Sequence, residues 1–166
     1  LNGYRLKESE PENLSNYTVL LGQSEIINEG LDITIVSYGS TLRLVEKASE
    51  ELEKLNISCE VIDVQTLIPF DLNDLIIKSL TKTNKLLIVD EDLPGGASSY
   101  ILQKILQEKS GFEQLDSSPI TLTSKNHRPA YGSDGDYFSK PSIDDIIEKA
   151  YGIMNEYDPK NYQDLI

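Results

Sequence analysis

Asp32-Ile33-Thr34-Ile35-Val36-Ser37-Tyr38-Gly39-Ser40, running directly into residues 41–55, decides the fold of this chain. Ile33, Ile35 and Val36 make a β-branched cluster bounded by Gly30 and Gly39, the composition of a buried strand. Beyond Ser40, a candidate N-cap, Val45, Ala48, Leu52 and Leu55 recur at spacings of three and four. Glu46, Lys47, Glu50 and Lys54 fall on the opposite side, so the segment reads as an amphipathic helix. A buried strand feeding such a helix is the building unit of a parallel sheet covered by helices.

The same alternation continues outward. Residues 57–62 read as a strand containing Cys59, and Leu67-Ile68-Pro69 leads to Asp71, the expected cap of a helix ending near Lys82. Asp74 stands three residues beyond Asp71, the spacing of a capping box. Leu86-Leu87-Ile88-Val89 is the most apolar strand, expected to turn Leu87 and Val89 to one face and Leu86 and Ile88 to the other. Gly95-Gly96 opens a helix through about Lys109, with Ala97, Ile101, Leu102, Ile105 and Leu106 as its inner face. Residues 120–122 form the last strand, and Ser142 with Asp145 caps a final helix that turns Ile143, Ile146, Ile147 and Ala150 inward. Upstream, residues 17–21 read as a short strand ending at Gly22. The total is about five strands and four helices, an α/β chain with a mostly parallel sheet. Residues 1–16 read as a linker from a missing upstream domain, because the chain opens at Leu1 and not Met. The domain is expected over 17–156 and a polar tail over 157–166.

At 166 residues the chain suits one domain. Its 15 Lys and Arg against 28 Asp and Glu give a net charge of −13. That balance argues against a nucleic-acid surface, whose affinity rests on cations displacing counterions; it favours a basic partner or plain solubility. One Cys and one His preclude an intramolecular disulfide and the usual zinc sets. No apolar run reaches the roughly 18 residues of a membrane span and no signal peptide opens the chain, so a cytoplasmic protein with no membrane contact is expected.

The candidate chemistry is thin. Ser37-Tyr38-Gly39-Ser40 has one glycine where a dinucleotide fold needs three. Leu93-Pro94-Gly95-Gly96 offers helix-start N–H groups to an anion, but Asp90, Glu91 and Asp92 stand just before it. Gly132-Ser133-Asp134-Gly135-Asp136 fails as a calcium loop, with Ser139 and Asp145 where Gly and Glu belong, and reads as a turn. His127 is a general base by type but lacks a nucleophile elbow beside it. Cys59 reads as a small buried hydrophobe. No residue is assigned a catalytic, cofactor-binding or metal-binding role.

Several strings together resemble one family. Residues 32–40, Glu60-Val61-Ile62-Asp63-Val64-Gln65-Thr66-Leu67-Ile68-Pro69-Phe70-Asp71, Leu87-Ile88-Val89-Asp90-Glu91 and the last helix after Pro141 look like the C-terminal transketolase-like domain. Pro94-Gly95-Gly96-Ala97 and His127-Arg128-Pro129-Ala130-Tyr131-Gly132-Ser133-Asp134-Gly135-Asp136 resemble the β-type part of the decarboxylating component of 2-oxo acid dehydrogenase complexes, in bacterial forms that fuse the α-type and β-type parts. The resemblance implies a three-layer α/β/α domain with a five-stranded mixed sheet and one antiparallel strand. It implies a larger enzyme that uses thiamine diphosphate and magnesium, held by other domains, to decarboxylate 2-oxoisovalerate or pyruvate and acylate lipoamide. This domain would be a non-catalytic assembly part, paired with a second copy and docked to the lipoyl acyltransferase core. Asp116 and then Glu113 are the residues implied for docking, and His127, Arg128 and Tyr131 for an interface loop. The same domain of a transketolase or deoxyxylulose-phosphate synthase, and a free-standing acidic interaction module, are the rival readings. Two departures stand out: the loop after the last strand is lengthened by Asp-rich residues, and the chain runs on past the last helix.

Overall fold

The computed structural model describes residues 15–129, 131 and 135–163, together with 7, 10, 12 and 13. The expected linker, the Gly132-Ser133-Asp134 part of the acidic loop and the end of the tail fall wholly or partly outside the described residues.

Five strands form one sheet: β1 (Glu25–Asn28), β2 (Ile33–Ser37), β3 (Cys59–Asp63), β4 (Leu86–Val89) and β5 (Ile120–Leu122). Their spatial order is β1-β3-β2-β4-β5. β2 pairs in parallel with β3 and β4, β4 pairs in parallel with β5, and β1 alone runs antiparallel, against β3. The mixed five-stranded sheet implied by the resemblance is therefore the one observed. The first strand differs from the expectation. Residues 17–21 are not a strand, and β1 lies just downstream, with an irregularity in its register between Ile26 and Asn28.

Among the described residues five α-helices occur, in chain order α1 (Leu42–Glu53), α2 (Leu75–Thr83), α3 (Ala97–Gln103), α4 (Gly135–Ser139) and α5 (Ile143–Tyr157). α4 was not expected. A π-helical stretch, Lys104–Glu108, extends α3. Ile33, Ile35, Cys59, Val61, Leu87 and Val89 face α1 and α5; Val36, Ile62, Leu86 and Ile88 face α2 and α3. The strand period of two thus sends alternate residues of β2, β3 and β4 into two separate cores. Both are closed: the β4 residues are 0% exposed on either face.

The caps explain the helix boundaries. Ser142 accepts from Asp145 N while the Asp145 carboxylate accepts from Ser142 N, the expected reciprocal box. Ser40 is not the cap of α1, which starts one residue later through a short 3₁₀ turn; its hydroxyl instead donates to Glu91. Asp71 lies outside α2, whose N-cap is Asp74, yet its buried carboxylate accepts from the N–H groups of Leu75 and Ile76. It does the work expected of a cap from three residues upstream, because Asp71 and Asp74 both adopt positive φ and fold the chain back.

Candidate functional site

The helices that follow the neighbouring strands β2 and β4 leave to opposite faces of the sheet; an α/β sheet places its natural crevice at such a point. Tyr38 follows β2 and Asp90 follows β4. The Tyr38 hydroxyl donates to Asp90 Oδ1 at 2.7 Å, while Asp90 accepts from Ser98 N at 2.9 Å and Asp92 N at 3.0 Å. Burial, the bond to Asp90 and the neighbouring carboxylates hold the Tyr38 phenol well above its ordinary range. Asp90 is fully buried, and its three partners all come from the two turns themselves, so it ties the turns together and is not presented to solvent.

The second glycine turn meets the same obstacle. A Cβ at Gly96 would lie 2.6 Å from an Asp92 carboxylate oxygen, so an acidic group faces the N–H donors that a phosphate would require. Among the described residues, no group of three or more His, Cys, Asp or Glu converges as a metal set. Among the described residues, neither a phosphate cradle nor a carboxylate set fits thiamine diphosphate or its magnesium ion. Burial pushes the Cys59 thiol up to about 12, the reverse of what a nucleophile needs.

The expected docking residues lie at the other end of the sheet. Asp116 precedes β5, and its N–H donates to Asn84 O just before β4. Its carboxylate accepts from Lys85 Nζ at 3.1 Å, and that ammonium also sits 3.5 Å from the centre of the Tyr157 ring. Lys85 is nearly buried, with Asp116 about one-third exposed. The pair therefore joins the loop before β5 to the end of α5, and Asp116 is already committed within the chain. Glu113 is exposed on the short helix Gly111–Gln114, beside Phe112 at 71% exposure. Lys85, Tyr157 and Phe112 were missed; only the 31-residue separation of Lys85 from Asp116 hides the first, because no local pattern links them.

His127, Arg128 and Tyr131 follow β5 and lie at the carboxyl end, away from Asp116 and Glu113. His127 Nδ1 contacts Arg128 O at 2.9 Å, and Arg128 lies over the Tyr131 ring while donating to its hydroxyl. All three are exposed, Tyr131 at 85%. The structure brings these three together but does not join them to the docking pair.

Residues 22–143 match the model of the transketolase C-terminal domain family. The chain belongs to that family. It is 36% identical over 151 residues to the pyruvate dehydrogenase E1 component subunit beta of Mesostigma viride, covering 91% of this chain and 45% of that protein. It is 35% identical over 126 residues to the acetoin:2,6-dichlorophenolindophenol oxidoreductase subunit beta of Bacillus subtilis strain 168, covering 76% and 35%. A 2-oxoisovalerate dehydrogenase subunit beta 2 of Arabidopsis thaliana is 39% identical over 101 residues, covering 60% and 27%. The chain thus spans about half the length of the curated relatives it matches most fully, and it is an E1 beta-like domain. Among solved structures, an inactive β4 tetramer of a split-gene transketolase shares the fold at a TM-score of 0.69 and 20% identity, covering 84% of this chain and 44% of that one. No helix among the described residues is long and apolar enough to cross a membrane.

Proposed function

We propose that this domain, over residues 17–156, is the assembly part of a thiamine-dependent 2-oxo acid dehydrogenase decarboxylating component. It pairs with a second copy and presents a docking surface to the lipoyl acyltransferase core, while the chemistry on pyruvate or 2-oxoisovalerate resides in other domains. The observation that carries this reading is the 36% identity, over nine-tenths of the chain, to a pyruvate dehydrogenase E1 beta subunit. A cytoplasmic setting belongs to the same proposal.

The geometry shapes the docking part. Asp116 is neutralised by Lys85, so the exposed Glu113 and Phe112 supply the accessible charge and anchor, with Asp116 fixing the loop beneath them. A basic partner would be drawn by the −13 charge and held by the aromatic. His127, Arg128 and Tyr131, at the opposite end, are assigned to a separate interface. Titration of the chain against the acyltransferase core at two ionic strengths tests this. Glu113→Ala is expected to weaken binding about tenfold, more at low salt, and Asp116→Ala somewhat less. Unchanged affinity in both variants overturns the docking assignment. Stoichiometric binding of thiamine diphosphate with magnesium to the chain would overturn its non-catalytic role.

A further inference from the structure

Left to itself, α5 would end weakly. Its last turn, Met154-Asn155-Glu156-Tyr157, pairs two poor helix formers with a carboxylate at the end where the macrodipole favours a cation. Contacts from outside the helix grip this turn on two sides. On one side the chain doubles back: Asp158 N donates to Met154 O and Tyr162 N donates to Asp158 O. The Asp158 carboxylate accepts from the N–H groups of Lys160 and Asn161 and from Asn161 Nδ2, which fixes the turn. Tyr162 then lies back along the helix. Its carbonyl accepts from Asn155 Nδ2, its ring meets the Tyr151 ring edge-on at 5.9 Å, and its hydroxyl donates to Asn56 O, just beyond α1. On the other side Tyr157 covers the Lys85 ammonium, 3.5 Å from the ring centre, and Lys85 holds Asp116 at 3.1 Å. Asp116 N donates to Asn84 O and Asn84 Nδ2 to Gln114 O, which completes the anchorage of that loop.

We propose that Asp158–Tyr162 is a strap whose closure fixes the last turn of α5 and, through Tyr157 and Lys85, the loop at residues 112–116 before β5. The inference goes beyond the docking reading and does not need it, because it concerns how the loop is held and not what it meets. The open state is defined by the same contacts. With Tyr162 released, Asn155, Glu156 and Tyr157 lose their outside support and unwind; Ile153 and Met154, both buried, stop the unwinding there. Tyr157 then leaves Lys85, which is otherwise 4% exposed, and the ammonium meets water. An ion pair opened to water is worth little, so Asp116 loses its hold and the loop loosens. The strap is suited to release. Residues 159–161 are exposed, Tyr162 is only half-buried, and its hydroxyl reaches Asn56 O at 3.4 Å. Such low-stability segments are the ones that open locally while the core stays closed.

Residue-resolved amide hydrogen exchange of the full chain reads the coupling. Tyr162→Ala is expected to speed exchange at Tyr157, at Asp158 and at the Asp116 amide by at least about tenfold, with the amides of β2 and β4 within about twofold of their starting rates. Tyr157→Ala should free the Asp116 amide to the same degree while the Tyr162 amide stays protected. Tyr157→Phe keeps the ring over Lys85 and should leave Asp116 protected. Unchanged exchange at Asp116 in Tyr162→Ala overturns the proposal, whether or not the end of α5 loosens. An equal rise throughout β2 and β4 overturns it as well, since the effect is then a general loss of stability. Loss of Asp116 protection in Tyr157→Phe removes the ring from the route and overturns it too. No acyltransferase enters the experiment, so its outcome is separate from that of the docking titration.

Discussion

The two faces of the sheet are equally closed to water but differently built. The core under α1 and α5 draws apolar residues and Cys59 from β2, β3 and β4, with the buried Ser37 at the end of β2 donating its hydroxyl to Val89 O at 2.9 Å. Beneath α2 and α3 the same strands contribute Thr34 and Glu60, both buried. The Thr34 hydroxyl lies 2.6 Å from both the Ser79 and Thr83 hydroxyls, and Glu60 accepts from Lys82 and from Gly30 N. On the first face the Ser37 bond stays within the sheet, from β2 to β4, whereas the second face adds a polar seam that ties α2 to the sheet. A slip of α2 along the first kind of surface costs packing, whereas a slip along the second leaves a buried charge unpaired.

The largest test of that contrast is truncation of β4. Leu87→Ala and Ile88→Ala remove fully buried side chains from opposite cores, and each is expected to cost about 2–5 kcal/mol in urea melts. A difference above about 2 kcal/mol between them would show that one face is looser than the other. Next comes Lys82→Met, which strands Glu60 in the interior. About 3 kcal/mol should be lost, and the double variant Lys82→Met, Glu60→Gln should recover part of it. Thr34→Val deprives two hydroxyls of a partner and should cost about 1–2 kcal/mol; a neutral result would mean the seam is idle. The smallest effect lies on the dry face. The Cys59 thiol, raised to about 12, keeps its proton in the fold after the unfolded chain has lost it. Its contribution is therefore complete below about pH 9 and declines as the pH rises toward 12, reaching about 1 kcal/mol lost by pH 10. Cys59→Val should flatten that decline in pH-dependent melts.

Much of this was legible because burial and periodicity coincide in the centre of the sheet. β2, β4 and β5 lie where their apolar runs predict, and the face assignment of the four β4 residues holds. The edge was not legible. Glu-Ile-Ile-Asn of β1 buries little, with only Ile26 half-covered, so it carries a weaker apolar signal than residues 17–21. Those residues lie exposed at the surface, and a pattern cannot tell an apolar side chain turned to a core from one left at the surface. Asp116 shows the converse. Its acidic character and position are visible, but its neutralisation by Lys85 and the stacking of that lysine on Tyr157 arise only when three distant segments meet. The relation of His127, Arg128 and Tyr131 to Asp116, at opposite ends of the strands, is likewise a matter of topology.

The π-helical stretch Lys104–Glu108 has a consequence for register. Each π turn holds one residue more than the α turn it replaces, and Lys109 closes this one by donating from its N–H to Lys104 O. It widens the last turn before the chain leaves the helix at Ser110, with Ile105 still buried. An alignment of this domain with a relative that lacks the bulge should therefore shift by one position between α3 and the short helix at Gly111–Gln114. Removing one exposed residue there, such as Gln107, is expected to restore an ordinary helix, a change readable by amide hydrogen exchange across the segment.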